Sequence, residues 1–204
     1  MLLGLLPTLL AAEQTLSAVE NLQQHLTGLN NYRADFQQRL KDEDGNVLQE
    51  SSGVLQVQRP QLLYWQSLEP FQSVTVSDGQ TVWHHDIDLS QVSRGRVNGD
   101  FSHAPALILG GDSAAIDAQF VVELSLLDNN VQLYQLTPKI EGGPFDSLSL
   151  RFSALSVLSH MKIVDALGQV TDVTLSSPQG TETFDDSLFE FVVPDGVDVI
   201  DAGG

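Results

Sequence analysis

The sequence predicts a mainly β protein of the α+β class, one antiparallel sheet of about eleven strands bent into a cup and covered by helices. Three observations predict it. From Tyr32 nearly to the C-terminus, apolar and polar residues alternate with period two, as in half-buried strands. Turn signals such as DEDGN (42–46), SDGQ (77–80) and EGGP (141–144) cut that pattern into short runs, which favours consecutive antiparallel neighbours. Finally, HAPALILGGDSAAI (103–116) breaks the rhythm with contiguous Leu107, Ile108 and Leu109 flanked by Pro105, Gly110 and Gly111, the pattern of a short inserted helix. So many strands in one domain curl into a barrel or a strongly bent sheet, and the helices then read as its cover.

The elements follow in order. MLLGLLPTLLAAEQ opens with an apolar run, Leu2 to Ala12, too short to span a bilayer and ending in small residues, the pattern of a signal peptide. Residues 1–12 are therefore expected to be an export signal and 13–204 a single domain. Next, Leu16, Val19, Leu22, Leu26 and Leu29 recur at helical spacing; Ser17 and Glu20 form a capping box, and Gly28 offers a stop. In YRADFQQRL, Tyr32, Ala34, Phe36 and Leu40 share one face of a strand. A second run extends from Val47 to Val57, and LLYW, SVTV and TVWHHD follow. The later runs FVVELSLL, VQLYQLT, SLSLRFS, SVLSHMKIV, QVTDVTLSS and LFEFVV complete the count. No internal repeat, second domain or later transmembrane helix is recognisable.

Composition excludes several function classes. There is no cysteine, hence no disulfide, thiolate metal site or thiol nucleophile. A net charge of −18, from 27 acidic against 9 basic side chains, repels nucleic acid and anionic membranes. Strand parity puts His84, Asp86 and Asp88 on one face, where they could bind zinc; no remote ligand is recognisable, and the competing reading is a polar outer face with His85 turned the other way. Asp42, Asp44 and Gly45 lack the later ligands of a calcium loop and read as a hairpin turn. No nucleophile elbow, phosphate loop or catalytic histidine motif is present. His25, His103 and His160 read as solvated or hydrogen-bonded side chains. What remains is an apolar concavity suited to a greasy ligand, with no enzyme, metal or cofactor implied.

One residue resists that simple reading. In VQRPQLLYW (57–65), Val57, Leu63 and Trp65 share an odd-numbered face, and Arg59 has the same parity. An arginine aimed at an apolar interior needs a partner, because unpaired buried charge is costly. The alternative is a surface arginine at a strand end, since Pro60 interrupts the ladder.

The order and spacing of several short motifs resemble the LolA family of periplasmic outer-membrane lipoprotein carriers. They are ADFQQ, SSGVLQVQRPQLLYW, the EP at 69–70, VSDGQTVW and the QV of SQVSRG, then APALILGGD, YQLTPK and FEFVVPDGVDV. The resemblance covers nearly the whole chain from Glu13. It implies an incomplete eleven-stranded barrel, apolar inside, under a lid of helices. It also implies a monomeric periplasmic chaperone without enzymatic activity or stable membrane insertion. The partners it implies are acylated lipoproteins, an ATP-driven inner-membrane releasing complex and an outer-membrane receptor. No cysteine follows the signal-like segment, so the soluble carrier is resembled rather than the lipid-anchored receptor that shares the fold. Carried over residue by residue, the arginine of the RP motif, Arg59, latches the lid through backbone carbonyls. Phe36, Leu55, Val57, Leu63 and Trp65 face the acyl-chain cavity, and Leu107, Ile108 and Leu109 belong to the lid. Leu63 stands where relatives often have an aromatic, and HHD after Trp83 is more polar than usual. A lipid- or lipoprotein-sensing module on the same fold and, more remotely, a metal-dependent hydrolase are the alternatives.

Overall fold

The computed structural model describes residues 16–97, 107–110, 113–143, 145–180 and 183–201. The signal-like segment 1–12 and His103 lie outside them. The first element is helix α1 (Ala18–Thr27). It starts where the sequence signals a start. The Ser17 side chain accepts from the Glu20 amide, Glu20 accepts in return from the Ser17 amide at 2.8 Å, and Gly28 closes the C-terminus. Those bonds hold the Glu20 carboxyl below its ordinary pKa, the backbone bond from Ser17 being the main cause. Leu22, Leu26 and, just beyond the helix, Leu29 are buried, whereas Leu16 is largely exposed.

Six strands follow: β1 (Tyr32–Lys41), β2 (Val47–Gln58), β3 (Leu62–Glu69), β4 (Ser73–Asp78), β5 (Thr81–Asp86) and β6 (Gln91–Arg96). After them come two short helices, α2 (Leu107–Gly110) and α3 (Ser113–Gln119). Strands β7 (Phe120–Leu127), β8 (Val131–Pro138), β9 (Phe145–Phe152), β10 (Leu158–Asp165) and β11 (Val170–Gly180) complete the meander, and β12 (Asp198–Asp201) comes last. All twelve form one sheet, ordered β12-β6-β5-β4-β3-β2-β1-β11-β10-β9-β8-β7. β12 and β7 are its two edges, so the barrel does not close. Pairing is antiparallel throughout except between β12 and β6.

The strand count and one assignment depart from the sequence reading. LFEFVV is not a strand: it begins in a 3-10 turn (Asp186–Phe189) and continues as an extended strap. Phe189 is buried where this turn packs against β3 and β4, and Phe191 stacks on the outward-facing Trp83 at 5.5 Å. Side-chain burial fixes this strap, so its alternation imitates a strand that has no ladder. Two strands take its place in the count, β6 and the short acidic β12, which pairs with β6 in parallel. Arg94 reaches Asp201 at 2.5 Å across that pair, and its guanidinium lies 5.6 Å from the centre of the Trp83 ring.

The principal core lies on the concave side. Tyr32, Ala34 and Phe36 of β1 join Leu55 and Val57 of β2, Leu63 of β3, Leu148 and Leu150 of β9 and Val173 of β11. Leu22 and Leu26 of α1, Ile108 and Leu109 of α2, and Ile116 of α3 close over them. Gly53 shapes the sheet beneath this core. The β2–β3 register shifts between Ser52 and Gly53, and a Cβ at position 53 would sit 1.8 Å from the Gln66 carbonyl oxygen and 2.9 Å from the Phe36 ring. Only glycine lets β3 and Phe36 come this near.

Candidate functional site

Two attachments of the lid to the sheet stand out among the described residues. At one, α1 rests on β8 and β9 through His25, whose ring stacks on Phe152 at 4.6 Å and whose Nε2 is 2.9 Å from Gln132 Oε1. The Tyr134 hydroxyl donates to Gln132 Oε1 and also lies against Asn21 Oδ1 of the helix. Tyr134 is fully buried, and desolvation pushes its phenol up to about 12; Tyr32, whose hydroxyl donates to the Leu158 carbonyl, is raised to about 12 by the same cause.

The second attachment is the turn between β2 and β3. Arg59 is half-buried there, and its Nη1 donates to the Leu109 carbonyl oxygen at 2.6 Å. That oxygen belongs to the last turn of α2, where helical carbonyls have no partner within the helix. Two residues on, the Gln61 amide donates to the Gly110 carbonyl at 2.5 Å. Gln61 holds a positive φ of 64°, and its own carbonyl accepts from Ser77 Oγ at 2.7 Å. Ser77 is fully buried in β4 and also accepts from the Gly79 amide. Gly110 fits closely, since a Cβ there would stand 3.3 Å from the Leu62 carbonyl. Thus the turn that carries Arg59 is fixed from below by Ser77 and reaches up to α2 by both a side chain and a main-chain amide. Arg59 was visible in the sequence through its parity; Gln61, Ser77 and Gly110 were not, because their roles are set by backbone contacts.

The residues read as a cavity lining divide in two. Phe36, Leu55, Val57 and Leu63 are buried in the core under the lid helices. Trp65 lies beside them, its ring centroid 4.3 Å from that of Phe36, and borders open space. The open space is a cavity of about 430 Å³ whose apolar lining residues are Trp65, Phe71, Met161, Ile163 and Val173. His84 and Asp86 of β5 line it together with Met161 and Ile163 of β10, strands far apart in the sheet order, so the sheet curls around it. A larger groove of about 850 Å³ runs along the β1–β2 hairpin. It is bordered by the exposed Arg39–Glu50 pair and residues from both faces of the hairpin, which makes it open surface rather than the interior of the cup.

A polarity gradient runs along the concave face. Away from Arg59 and toward the opposite end, β1 passes from Phe36 to Gln38, β2 from Leu55 to Ser51, and β3 from Trp65 to Ser67. β5 passes from Val82 through His84 to Asp86, and β11 from Val173 to Thr171, whereas β10 stays apolar from Met161 to Ile163 and Phe71 also lines that end. This placement corrects the outer-face reading of His84 and Asp86: both are on the concave side, and His85 faces outward against Phe191. Parity grouped these residues but could not tell which face was concave. His84 Nδ1 is 2.9 Å from Thr75 Oγ1, Asp86 accepts from the Leu89 amide at 3.0 Å, and Asp88 accepts from the Gln72 amide at 3.1 Å. Among the described residues no three His, Asp or Glu side chains are grouped for a metal ion. His160 pairs instead with Asp172 at 2.8 Å.

Fold and site together define a class: an open, curled β-sheet with a helical lid, held over an apolar interior by a few hydrogen bonds, built to enclose an apolar ligand. Comparison with known proteins is specific. The family model described as outer membrane lipoprotein carrier protein LolA matches residues 27–192. The chain belongs to that family. An outer-membrane lipoprotein carrier protein of Hahella chejuensis is 36% identical over 185 residues, covering 90% of this chain and 88% of that one. Its counterpart in Chromohalobacter salexigens is 34% identical over 195 residues, covering 96% and 92%. Among solved structures, a LolA superfamily protein from Nitrosomonas europaea has a TM-score of 0.51 at 13% identity, covering 85% of this chain and 96% of that one. An uncharacterized conserved protein from Thermus thermophilus reaches 0.54 at 14% identity, covering 91% and 100%. These two likenesses bear on the fold alone. Among the described residues no helix is long and apolar enough to cross a membrane.

Proposed function

We propose that this protein is a periplasmic chaperone that takes acylated lipoproteins from an ATP-driven inner-membrane complex and passes them to an outer-membrane receptor. The observation that carries the reading is the Arg59–Leu109 bond, joined to an apolar interior in a member of the carrier family. A triacylated lipoprotein bears on the order of 45 methylenes, each costing about 0.8 kcal/mol in water. It therefore needs enclosure during transit and an energised release from the first membrane. Protein pockets for drug-sized ligands run from about 300 to 1,000 Å³. The cavity of about 430 Å³ is at the small end of that range, so lipoprotein chains need more room than the closed state offers.

Loading must then lift α2 and its neighbours from the core. Arg59 acts as the latch. A charge-assisted bond contributes roughly 1.5–3 kcal/mol, enough to favour closure and little enough to be overcome by ligand burial. Phe36, Leu55, Val57, Leu63 and Trp65 become the acyl-chain wall once Ile108 and Leu109 withdraw. No bond is made or broken covalently. The protein works as a monomer by affinity differences between donor, carrier and acceptor, and its net charge of −18 discourages lingering on anionic bilayers. The test is to incubate the purified protein with lipoprotein-loaded inner-membrane vesicles and ATP. A soluble one-to-one complex is expected, and lipoprotein retained wholly in the vesicles would refute the reading.

A further inference from the structure

We propose that the polar end of the concave cavity, with Asp86 as its charge, selects the headgroup of the ligand. It admits acyl ligands whose heads are uncharged esters and amides and turns away lipids that carry phosphate. The inference rests on the reading of this cavity as the acyl-chain site.

Apolar chains alone do not distinguish a lipoprotein from the far more abundant membrane lipids, because the hydrophobic effect is non-directional. Discrimination needs polar groups at the place where the chains meet their head. Here the lining supplies them: Gln38, Ser51, Ser67, Thr75 and His84 form a polar collar around the cavity, beside the apolar Trp65, Met161, Ile163 and Phe71. Amide and hydroxyl side chains can donate to ester carbonyls and accept from amide N–H groups. Phosphate recognition, in contrast, relies on arginine, lysine or clustered backbone N–H groups. Among the described residues lining this cavity there is no arginine or lysine, and the one carboxylate is Asp86. The Leu89 amide holds that carboxylate in place at the turn after β5. A phosphodiester seated in the collar would thus lose water, gain no cation and face a like charge.

The test is competition against a polarity-sensitive fluorophore bound in the cavity. Two water-soluble competitors carry the same short acyl chains: N-acetyl-S-diacylglyceryl-cysteine amide and the matching diacyl phosphatidylglycerol. The neutral thioether amide is expected to displace the fluorophore at about tenfold lower concentration. Asp86→Asn keeps an acceptor for the Leu89 amide and should shrink that ratio; Asp86→Lys should abolish or invert it. Glu123→Lys, an exposed position on β7, changes net charge as much as the lysine variant and should leave the ratio unchanged. An unchanged ratio in both Asp86 variants, or an equal shift in Glu123→Lys, overturns the proposal while leaving the carrier reading intact. If neither competitor displaces the fluorophore, the acyl-site reading fails and the proposal fails with it.

Discussion

Replacing Arg59 with leucine removes the side-chain bond to the Leu109 carbonyl and leaves the Gln61–Gly110 main-chain bond in place. The lost bond is short, at 2.6 Å, and charge-assisted, so the closed state should rise by roughly 1.5–3 kcal/mol relative to the open one. That is roughly a 10- to 150-fold shift toward the open lid. Global stability should fall by no more than this amount, because an apolar side chain of good packing volume replaces a half-buried charge. Function should suffer in one direction. Loading from the inner-membrane complex continues, since it leads away from the closed state. Transfer to the receptor weakens, since it returns the carrier to an empty state that is now higher in free energy. Lysine should restore transfer only partly, because an ammonium lacks the planar fork of the guanidinium. Loading and transfer are assayed separately on the same variants. Normal transfer by Arg59→Leu would refute the latch, and failed loading would assign Arg59 to docking or folding instead.

Other outcomes follow from the same structure. Gly53→Ala forces a methyl group against the Gln66 carbonyl and the Phe36 ring; chemical denaturation should show a loss of roughly 1–3 kcal/mol or more. Ile108→Asn with Leu109→Asn removes two buried lid side chains, and binding of a hydrophobic fluorophore should increase, with new protease sensitivity near residue 108. The Tyr32 and Tyr134 phenols hold their protons to about 12 in the fold, against an ordinary value of 10.0. Their contribution is therefore complete below pH 10 and is lost as pH rises from 10 toward 12. Denaturant midpoints followed by tyrosinate absorbance should fall across that interval, and Tyr32→Phe should flatten the decline.

Much of this architecture was legible because local chemistry and tertiary placement agree. Ser17 and Glu20 announce α1 and form its capping box, and the parity of Tyr32, Ala34 and Phe36 matches their burial. Arg59 stood out because its charge contradicts its parity, and a conflict of that kind needs a partner somewhere. Other features depend on contacts remote in sequence. DVID at 198–201 is too short and acidic to signal a strand, and it becomes one only through pairing with β6 and the Arg94–Asp201 pair. Phe189 and Phe191 alternate like a strand but answer to packing against the sheet. His84 and Asp86 were grouped correctly by period two, yet the concave side is decided by how the sheet bends, which no single strand encodes. Gln61 takes a positive φ without glycine because Ser77 and Gly110 hold its backbone from both sides.

The claim that acyl chains occupy the concave side is tested most directly by two adjacent residues of β3. Trp65 borders the cavity, and its neighbour Tyr64 lies on the opposite face of the sheet. A benzoylphenylalanine photocrosslinker replaces each in turn, and the purified carrier is loaded with lipoprotein radiolabelled in its acyl chains. The account predicts a labelled crosslink from position 65 and none from position 64. Label captured at 64 and absent at 65 would contradict it.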